Sequence, residues 1–252
     1  LVLVHGHPGS AYDWEPFMRE AAQRGFRAIA YDRVGYGRSD GRAPGRVLVA
    51  TNAGELLALL AALDLRDVTV VGHSYGGGTA LTAAKRDGSR IARLVLVGSV
   101  GPGIEQHGGP PPWAMEILVA PVLSWVGRVP PLADRVRRAL VAEAFAPEPT
   151  QEAYVGLLAA NFAAPGTRRA FASEGRDLGG EADLDPASLA LPILVVHGDG
   201  DRLVPPAVAE ALQRRAPHAT LRVVPSAGHM IPVTHAAWLA DEVAAFAGQP
   251  AR

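Results

Sequence analysis

Short apolar segments alternate along most of the chain with longer segments in which apolar residues recur every three or four positions. The apolar segments have the length of buried strands, which are predicted at residues 1–4, 26–31, 68–71, 94–97, 193–196 and 220–224. The longer segments are predicted as helices at residues 12–24, 50–63, 79–86, 206–216 and 235–246. This alternation predicts an α/β protein, with a parallel sheet and helices on both of its faces.

One long interval, residues 101–191, breaks the alternation because no convincing strand occurs in it. We predict helices there at residues 113–126, 132–145 and 151–161, separated by prolines, which are poorly tolerated inside a helix. The core domain is therefore predicted to comprise residues 1–100 and 192–252. Residues 101–191 are predicted to form a helical lid over the carboxyl edge of the sheet.

Composition narrows the possible functions. Of the 252 residues, 48% are hydrophobic and 19% are charged, which is typical of a folded globular protein. A formal net charge of −1 provides no overall field to attract nucleic acid, so we expect a small, weakly charged substrate as the partner. The absence of cysteine excludes a thiolate nucleophile, disulfides and a cysteine-ligated metal.

No segment indicates a membrane span or a signal for secretion. The longest apolar runs are far shorter than the roughly 20 residues that a membrane-spanning helix needs. The chain opens directly on an apolar strand and lacks the pattern of a signal peptide, which favours a cytoplasmic location. Trimming of an N-terminal segment is left open, because Leu1 is not an initiator methionine, and no pattern indicates an oligomeric state.

A candidate nucleophile lies between the third predicted strand and the helix after it. Residues 72–76 read GHSYG, a G-x-S-x-G match in the strand–turn–helix context that predicts a nucleophile elbow carrying Ser74. A Gly-rich turn before a helix can also bind phosphate. However, the segment lacks the lysine of a Walker loop and the G-x-G-x-x-G spacing of a dinucleotide loop, which disfavours nucleotide binding.

A serine nucleophile needs a base, and the base needs a group that orients it. His229 is the predicted base, because it follows the last predicted strand and so lies at the same sheet edge as Ser74. Two aspartates follow the fifth predicted strand, and either gives the chain order Ser, Asp, His. Asp201 is preferred because it leads into the next helix, whereas Asp199 lies earlier in the turn, where bonds to local backbone amides are favoured.

Two further loops follow the first two predicted strands. Residues 5–9 read HGHPG; alone they are a plain turn, but together with the elbow they predict an oxyanion hole with the amides of His7 and Tyr75 as donors. Residues 32–39 read DRVGYGRS, and we interpret them as a structural loop fixed by hydrogen bonds.

Five segments resemble, in the right order along the chain, the motifs of the α/β-hydrolase superfamily: residues 5–9, 32–39, 72–77, 198–205 and 228–229. The resemblance implies the α/β-hydrolase fold, with a mostly parallel sheet and a helical lid inserted after the sixth strand of that fold. It also implies acyl transfer through an acyl-enzyme on Ser74, with neither a metal nor an organic cofactor.

Within that superfamily we expect a carboxylic-ester or lactone hydrolase for a small to medium apolar substrate. Epoxide hydrolases and haloalkane dehalogenases carry Asp where this chain has Ser74, and carbon–carbon bond hydrolases commonly have Trp where it has Met230. The candidate residues for the pocket wall are Trp113, Trp125, Tyr154, Phe162 and Met230. The four aromatic residues lie in the predicted lid and fit its core equally well. Two alternatives stay open, a cofactor-free perhydrolase or haloperoxidase and a ligand receptor built on the same fold.

Overall fold

The structure, a computed structural model, describes residues 1–39, 48–106, 130–163, 165–176 and 183–248. Within these residues six strands form one sheet, and every neighbouring pair is parallel. The strands are β1 (Val2–Val4), β2 (Ile29–Tyr31), β3 (Val68–His73), β4 (Ile91–Val97), β5 (Ile193–Gly198) and β6 (Ala219–Val224). All six predicted strands are confirmed, with ends that differ by a few residues.

The described helices are α1 (Glu15–Gln23), α2 (Val49–Ala62), α3 (Tyr75–Arg86), α4 (Pro130–Phe145), α5 (Glu152–Ala163), α6 (Pro165–Arg176), α7 (Pro206–Arg215), α8 (Ile231–Thr234) and α9 (Ala236–Ala247). Short 3-10 helices occur at Ala11–Trp14 and Ile104–Gln106. In the described part of the chain, no helix combines the length and the apolar character that crossing a membrane requires.

Helix α3 begins at Tyr75, earlier than the predicted start at Thr79. Gly76, Gly77 and Gly78 thus belong to the helix, although glycine has a low helix propensity. These glycines are in the helix because it packs closely on its neighbours: a Cβ on Gly77 would lie 2.6 Å from the Ser99 Cβ. Tertiary packing therefore overrides local helix propensity at the start of α3.

Both faces of the sheet are covered, which explains why its strands are continuously apolar. On one face, Val70, Leu94 and Leu96 belong to a core cluster that includes residues of α2, α3 and α7. On the other face, Val71 and Val95 belong to a second cluster with residues of α1 and α9. The side chains alternate between the faces as the two-residue period of a strand requires.

The order in which the strands are added to the sheet reverses between β1 and β3. The strand order is β2-β1-β3-β4-β5-β6, so the chain moves outward from β1 to β2 and then returns to the other side of β1. The loops after β1 and β3 therefore leave the same edge in opposite directions. In open parallel sheets, ligands bind at the carboxyl ends of the strands at such a switch point.

The interval between β4 and β5 contains helices α4, α5 and α6 among its described residues. The first two match predicted helices, whereas the predicted helix at residues 113–126 lies outside the described residues. Helix α6 was not predicted, because Pro165 was interpreted as a helix breaker. It is instead the first residue of the helix, a position where the missing N–H of proline is not needed.

Candidate active site

Ser74 occupies a strained turn between β3 and α3. Its φ of 55° and ψ of −122° lie where residues other than glycine are rarely found. The turn is held in place by its backbone, since the Ser74 N–H donates to Val97 O at 2.9 Å and Ser74 O accepts from the Gly77 N–H at 3.0 Å. Strain of this kind persists only where the surroundings enforce it, and it is the expected geometry of a nucleophile elbow.

Glycines on both sides of Ser74 allow close backbone packing, both within the turn and between the turn and β1. A Cβ placed on Gly76 would lie 2.2 Å from Val4 O, and one on Gly72 would lie 2.5 Å from Gly76 O. Real Cβ atoms do not approach backbone oxygens so closely. The start of α3 therefore lies directly against the end of β1 and the loop that follows it.

We expect Gly76→Ala to lower the free energy of unfolding by about 1–3 kcal/mol, because its methyl group has to displace backbone. Urea unfolding with two optical probes measures the change. The matched control is Gly156→Ala, because a Cβ on Gly156 in α5 meets nothing within 4 Å. That variant is expected to gain about 0.5–1 kcal/mol. Equal effects at both positions would contradict the close packing at Gly76.

His229 and Asp201 form a buried pair at the same edge of the sheet. The His229 Nδ1 lies 2.7 Å from the Asp201 Oδ2. The other carboxylate oxygen, Asp201 Oδ1, accepts from the N–H groups of Leu203 and Val204, both at 2.9 Å. With Nδ1 donating to Asp201, the Nε2 of His229 is left as the proton acceptor.

The charge of Asp201 is maintained despite its burial. Burial alone would raise the pKa of Asp201, but the adjacent His229 and the hydrogen bond from the Val204 amide outweigh it, so the pKa is lowered. Asp201 is therefore ionised at neutral pH and orients His229. Asp199, the alternative acid, instead accepts from the Ser226 N–H at 2.7 Å. Ser226 lies in the loop after β6, 27 residues away in sequence, so this is a backbone bond but not the local one that was predicted.

The loop after β1 is fixed by a buried arginine from the loop after β2. The Arg33 Nε donates to His5 O at 3.0 Å, and its Nη2 donates to Gly6 O at 2.8 Å. The Arg33 N–H donates to His5 Nε2 at 3.0 Å. The hydrogen bonds predicted for residues 32–39 are thus present, and they extend to the predicted oxyanion loop.

A cavity of about 250 Å³ is lined by both Ser74 and His229. The loop after β1 contributes Gly6 and His7 to its wall. Much of the remaining wall is apolar and comes from α4 and α5: Leu140, Val141, Ala144, Phe145, Leu157 and Leu158. In the part of the chain that the structure describes, no group of three His, Asp or Glu side chains is arranged to hold a metal ion.

The side chains predicted to line the pocket differ in where they lie. Tyr154 and Met230 are on the cavity wall. Phe162 is not among the lining residues; it packs against Phe171, which is, with ring centroids 5.2 Å apart. The other two predicted positions lie outside the described residues: Trp113 and Trp125.

Asp13 is a cavity residue that the sequence analysis missed. Its carboxylate oxygen Oδ2 accepts from the Ser10 N–H at 3.1 Å, and its side chain lines the cavity. The signal was the Ser10-x-x-Asp13 spacing, which is that of a capping box. Burial raises the pKa of Asp13 to about 7, although the bond from the Ser10 amide opposes the shift.

This raised pKa predicts that Asp13→Asn stabilises the protein more at pH 8 than at pH 5. The folded state holds the proton of Asp13 up to about pH 7, whereas the unfolded state releases it near 3.8. The wild type therefore loses stability as pH rises between these values, and the amide variant does not. The added advantage at pH 8 is expected to be on the order of 2 kcal/mol. Urea unfolding at both pH values measures it, and a pH-independent difference would contradict it.

The parallel sheet, the strained serine turn and the histidine–aspartate pair together define the class of the α/β hydrolases. Residues 1–236 match the family model described as "alpha/beta hydrolase fold". The chain belongs to this family.

Similar proteins in the family carry more than one functional name. A non-heme haloperoxidase of Rhodococcus erythropolis is 31% identical over 91% of this chain and 85% of its own length. A 2-hydroxymuconate semialdehyde hydrolase of Pseudomonas putida is 32% identical over 83% of this chain and 73% of its own. Among solved structures, an esterase of Exiguobacterium antarcticum superposes with a TM-score of 0.82 at 22% identity, over 98% of this chain and 91% of its own.

Proposed function

We propose that this protein is a serine hydrolase that cleaves a carboxylic ester or lactone of a small to medium apolar substrate. One observation carries the proposal: the strained Ser74 and the Asp201-bound His229 line the same cavity. A nucleophile, a base and an orienting acid are the three parts that acyl transfer by serine requires. The substrate class follows from the cavity, whose lid-derived wall is apolar.

In this mechanism Ser74 Oγ attacks the ester carbonyl carbon while His229 Nε2 takes its proton. The carbonyl oxygen becomes an oxyanion, and Asp201 stabilises the imidazolium ion. When the carbon–oxygen bond to the leaving alcohol breaks, His229 returns the proton to that alcohol. Water then attacks the acyl-enzyme with His229 again as base, which releases the carboxylic acid and restores the Ser74 hydroxyl.

The amides of His7 and Tyr75 are the proposed donors to the oxyanion. Tyr75 is the first residue of α3, so its N–H lies at the positive end of a helix. The His7 N–H has no hydrogen-bond partner among the residues that the structure describes. Gly76 packs on the backbone oxygens of Val4 and His5, and a Cβ on Gly6 would lie 2.9 Å from the Ser74 Cβ. This contact between the loop that carries His7 and the turn that carries Tyr75 supports a shared oxyanion hole. Each such donor contributes about 10²–10³-fold to kcat.

A haloperoxidase activity is the second candidate, because relatives that span most of the chain are named haloperoxidases and chloroperoxidases. In this reaction hydrogen peroxide replaces water as the attacking group on the acyl-enzyme. The product is a peroxycarboxylic acid, which oxidises a halide ion and is itself reduced to the carboxylic acid. The same site residues would serve both reactions. The third alternative, a receptor on this fold, would bind a ligand in the same cavity without turning it over.

The experiment that tests the proposal measures hydrolysis of 4-nitrophenyl esters from acetate to decanoate. A fluorophosphonate probe is applied in parallel, and mass spectrometry locates its adduct. We expect turnover that falls for the longest chains, together with labelling of Ser74. Bromination with peroxide in acetate but not in phosphate buffer would favour the second candidate. No turnover and no Ser74 adduct would contradict the proposed function.

A further inference from the structure

A buried carboxylate on α6 connects the interval between β4 and β5 to the loop that follows β1. Glu174 is wholly buried, and it is 141 residues away in sequence from its ion-pair partner Arg33. It also accepts three other hydrogen bonds, from Tyr36 Oη at 2.8 Å, Asn52 Nδ2 at 3.1 Å and His7 Nδ1 at 2.7 Å. A single carboxylate thus gathers donors from the loops after β1 and β2 and from α2.

The two oxygens of Glu174 have different partners. Oε1 accepts from Arg33 and Asn52, whereas Oε2 accepts from Tyr36, His7 and the second Arg33 nitrogen. Burial alone would raise the pKa of Glu174, but Arg33 and His7 outweigh it and lower the pKa to about 2. The carboxylate is therefore charged at neutral pH and able to fix several donors at once.

Two side chains of helix α6 contact the imidazole ring of His7, one at the ring edge and one on the ring face. Glu174 binds the Nδ1 edge, and Phe171 stacks on the face with centroids 4.4 Å apart and an interplanar angle of 13°. Glu174 also binds Arg33, whose guanidinium holds the carbonyl oxygens of His5 and Gly6. The backbone on the N-terminal side of His7 and the His7 side chain are thus both tied to one carboxylate.

We propose that Glu174 is a positioning residue for ester hydrolysis, which fixes the His7 N–H in the direction that the oxyanion requires. The inference rests on the proposed function and on the His7 amide as an oxyanion donor. An oxyanion exists only along the reaction path and not in the bound ester. Misplacing its donor therefore lowers kcat and leaves KM nearly unchanged.

The first test is Glu174→Gln, which keeps the size of the side chain but removes its charge and turns an N–H group toward donors. We expect kcat for 4-nitrophenyl butyrate to fall by about 10- to 100-fold, with KM within about threefold. The rate at which a fluorophosphonate labels Ser74 is expected to fall in parallel, since phosphonylation also places negative charge in the oxyanion hole.

Thr167→Val is the matched control on the same helix. Thr167 is wholly buried, and its Oγ1 donates to Gly35 O at 2.8 Å, so the variant loses a buried bond between α6 and the loop after β2. It leaves the Glu174–His7 contact in place. We expect thermal stability to fall while kcat stays within about twofold of the wild-type value.

Glu174→Asp keeps the test decisive if Glu174→Gln fails to fold because Arg33 is left buried without a counter-ion. Aspartate retains the charge but is one methylene too short to reach both Arg33 and His7.

A folded Glu174→Asp variant with lowered kcat, together with an unchanged kcat in Thr167→Val, would support the inference. Wild-type kcat in Glu174→Asp, or an equal loss in Thr167→Val, would overturn it while the wild-type enzyme remains an esterase. A wild-type protein inactive on every ester would overturn the proposed function, and this inference with it.

Discussion

Ser74→Ala is expected to lower kcat for 4-nitrophenyl esters by about 10⁵- to 10⁶-fold. The variant retains the cavity and the oxyanion donors but has no atom that can form the acyl-enzyme. In the proposed mechanism His229 and Asp201 act only through Ser74, so they cannot compensate for its loss. Initial rates with saturating substrate measure the effect, and binding of a non-hydrolysable ester analogue checks that the cavity is intact.

The matched control for this substitution is Ser226→Ala. Ser226 is also a serine at positive φ, 57°, but it is exposed in the loop after β6. Ser226→Ala therefore makes the same chemical change at a similarly strained position without altering Ser74. We expect its kcat to stay within about twofold of the wild-type value. More than 1% of wild-type activity in Ser74→Ala would show that Ser74 is not the nucleophile.

Asp201→Asn is expected to lower kcat by about 10⁴-fold, the effect of the equivalent change in a serine protease. The two backbone N–H groups that now bind Oδ1 would hold the amide oxygen of asparagine. Its NH₂ group must then face His229 Nδ1, which becomes an acceptor. The ring proton moves to Nε2, and His229 is unable to accept the proton of Ser74.

Asp199→Asn separates this tautomer effect from a general loss of loop structure. Asp199 lies two residues earlier and binds the Ser226 N–H rather than His229. Its variant is expected to keep kcat within about threefold of wild type. A larger loss of kcat in Asp199→Asn than in Asp201→Asn would show that Asp199, and not Asp201, is the acid.

The sheet and the elbow could be predicted because their signals are local. Each strand is a short apolar run, and the G-x-S-x-G match lies within a few residues of its strand and helix. The choice between Asp199 and Asp201 depends on which backbone amides the folded loops present, and this is not a local property of the sequence. The sequence ranked them by position in the turn, and the structure gives Asp201 the bond to His229.

Glu174 could not be predicted, because its role depends on contacts between distant parts of the chain. It lies in a segment rich in charged residues, where a glutamate is usually solvated. Its partners come from three earlier segments, and no local pattern indicates that they converge. Helix α6 itself was missed because a proline marks helix starts and helix ends alike. The same ambiguity concealed Phe171, which takes the place on the cavity wall expected for Phe162.

The order of the elements along the chain has a consequence for protein synthesis. Ser74 and the first four strands leave the ribosome before the long interval between β4 and β5, and Asp201 and His229 follow it. The nascent chain can thus form the Ser74 turn early, but Asp201 and His229 join it only when β5 has added to β4 and β6 to β5. By the proposed mechanism, a chain that ends before His229 has no base and does not hydrolyse esters, even when its Ser74 turn has formed.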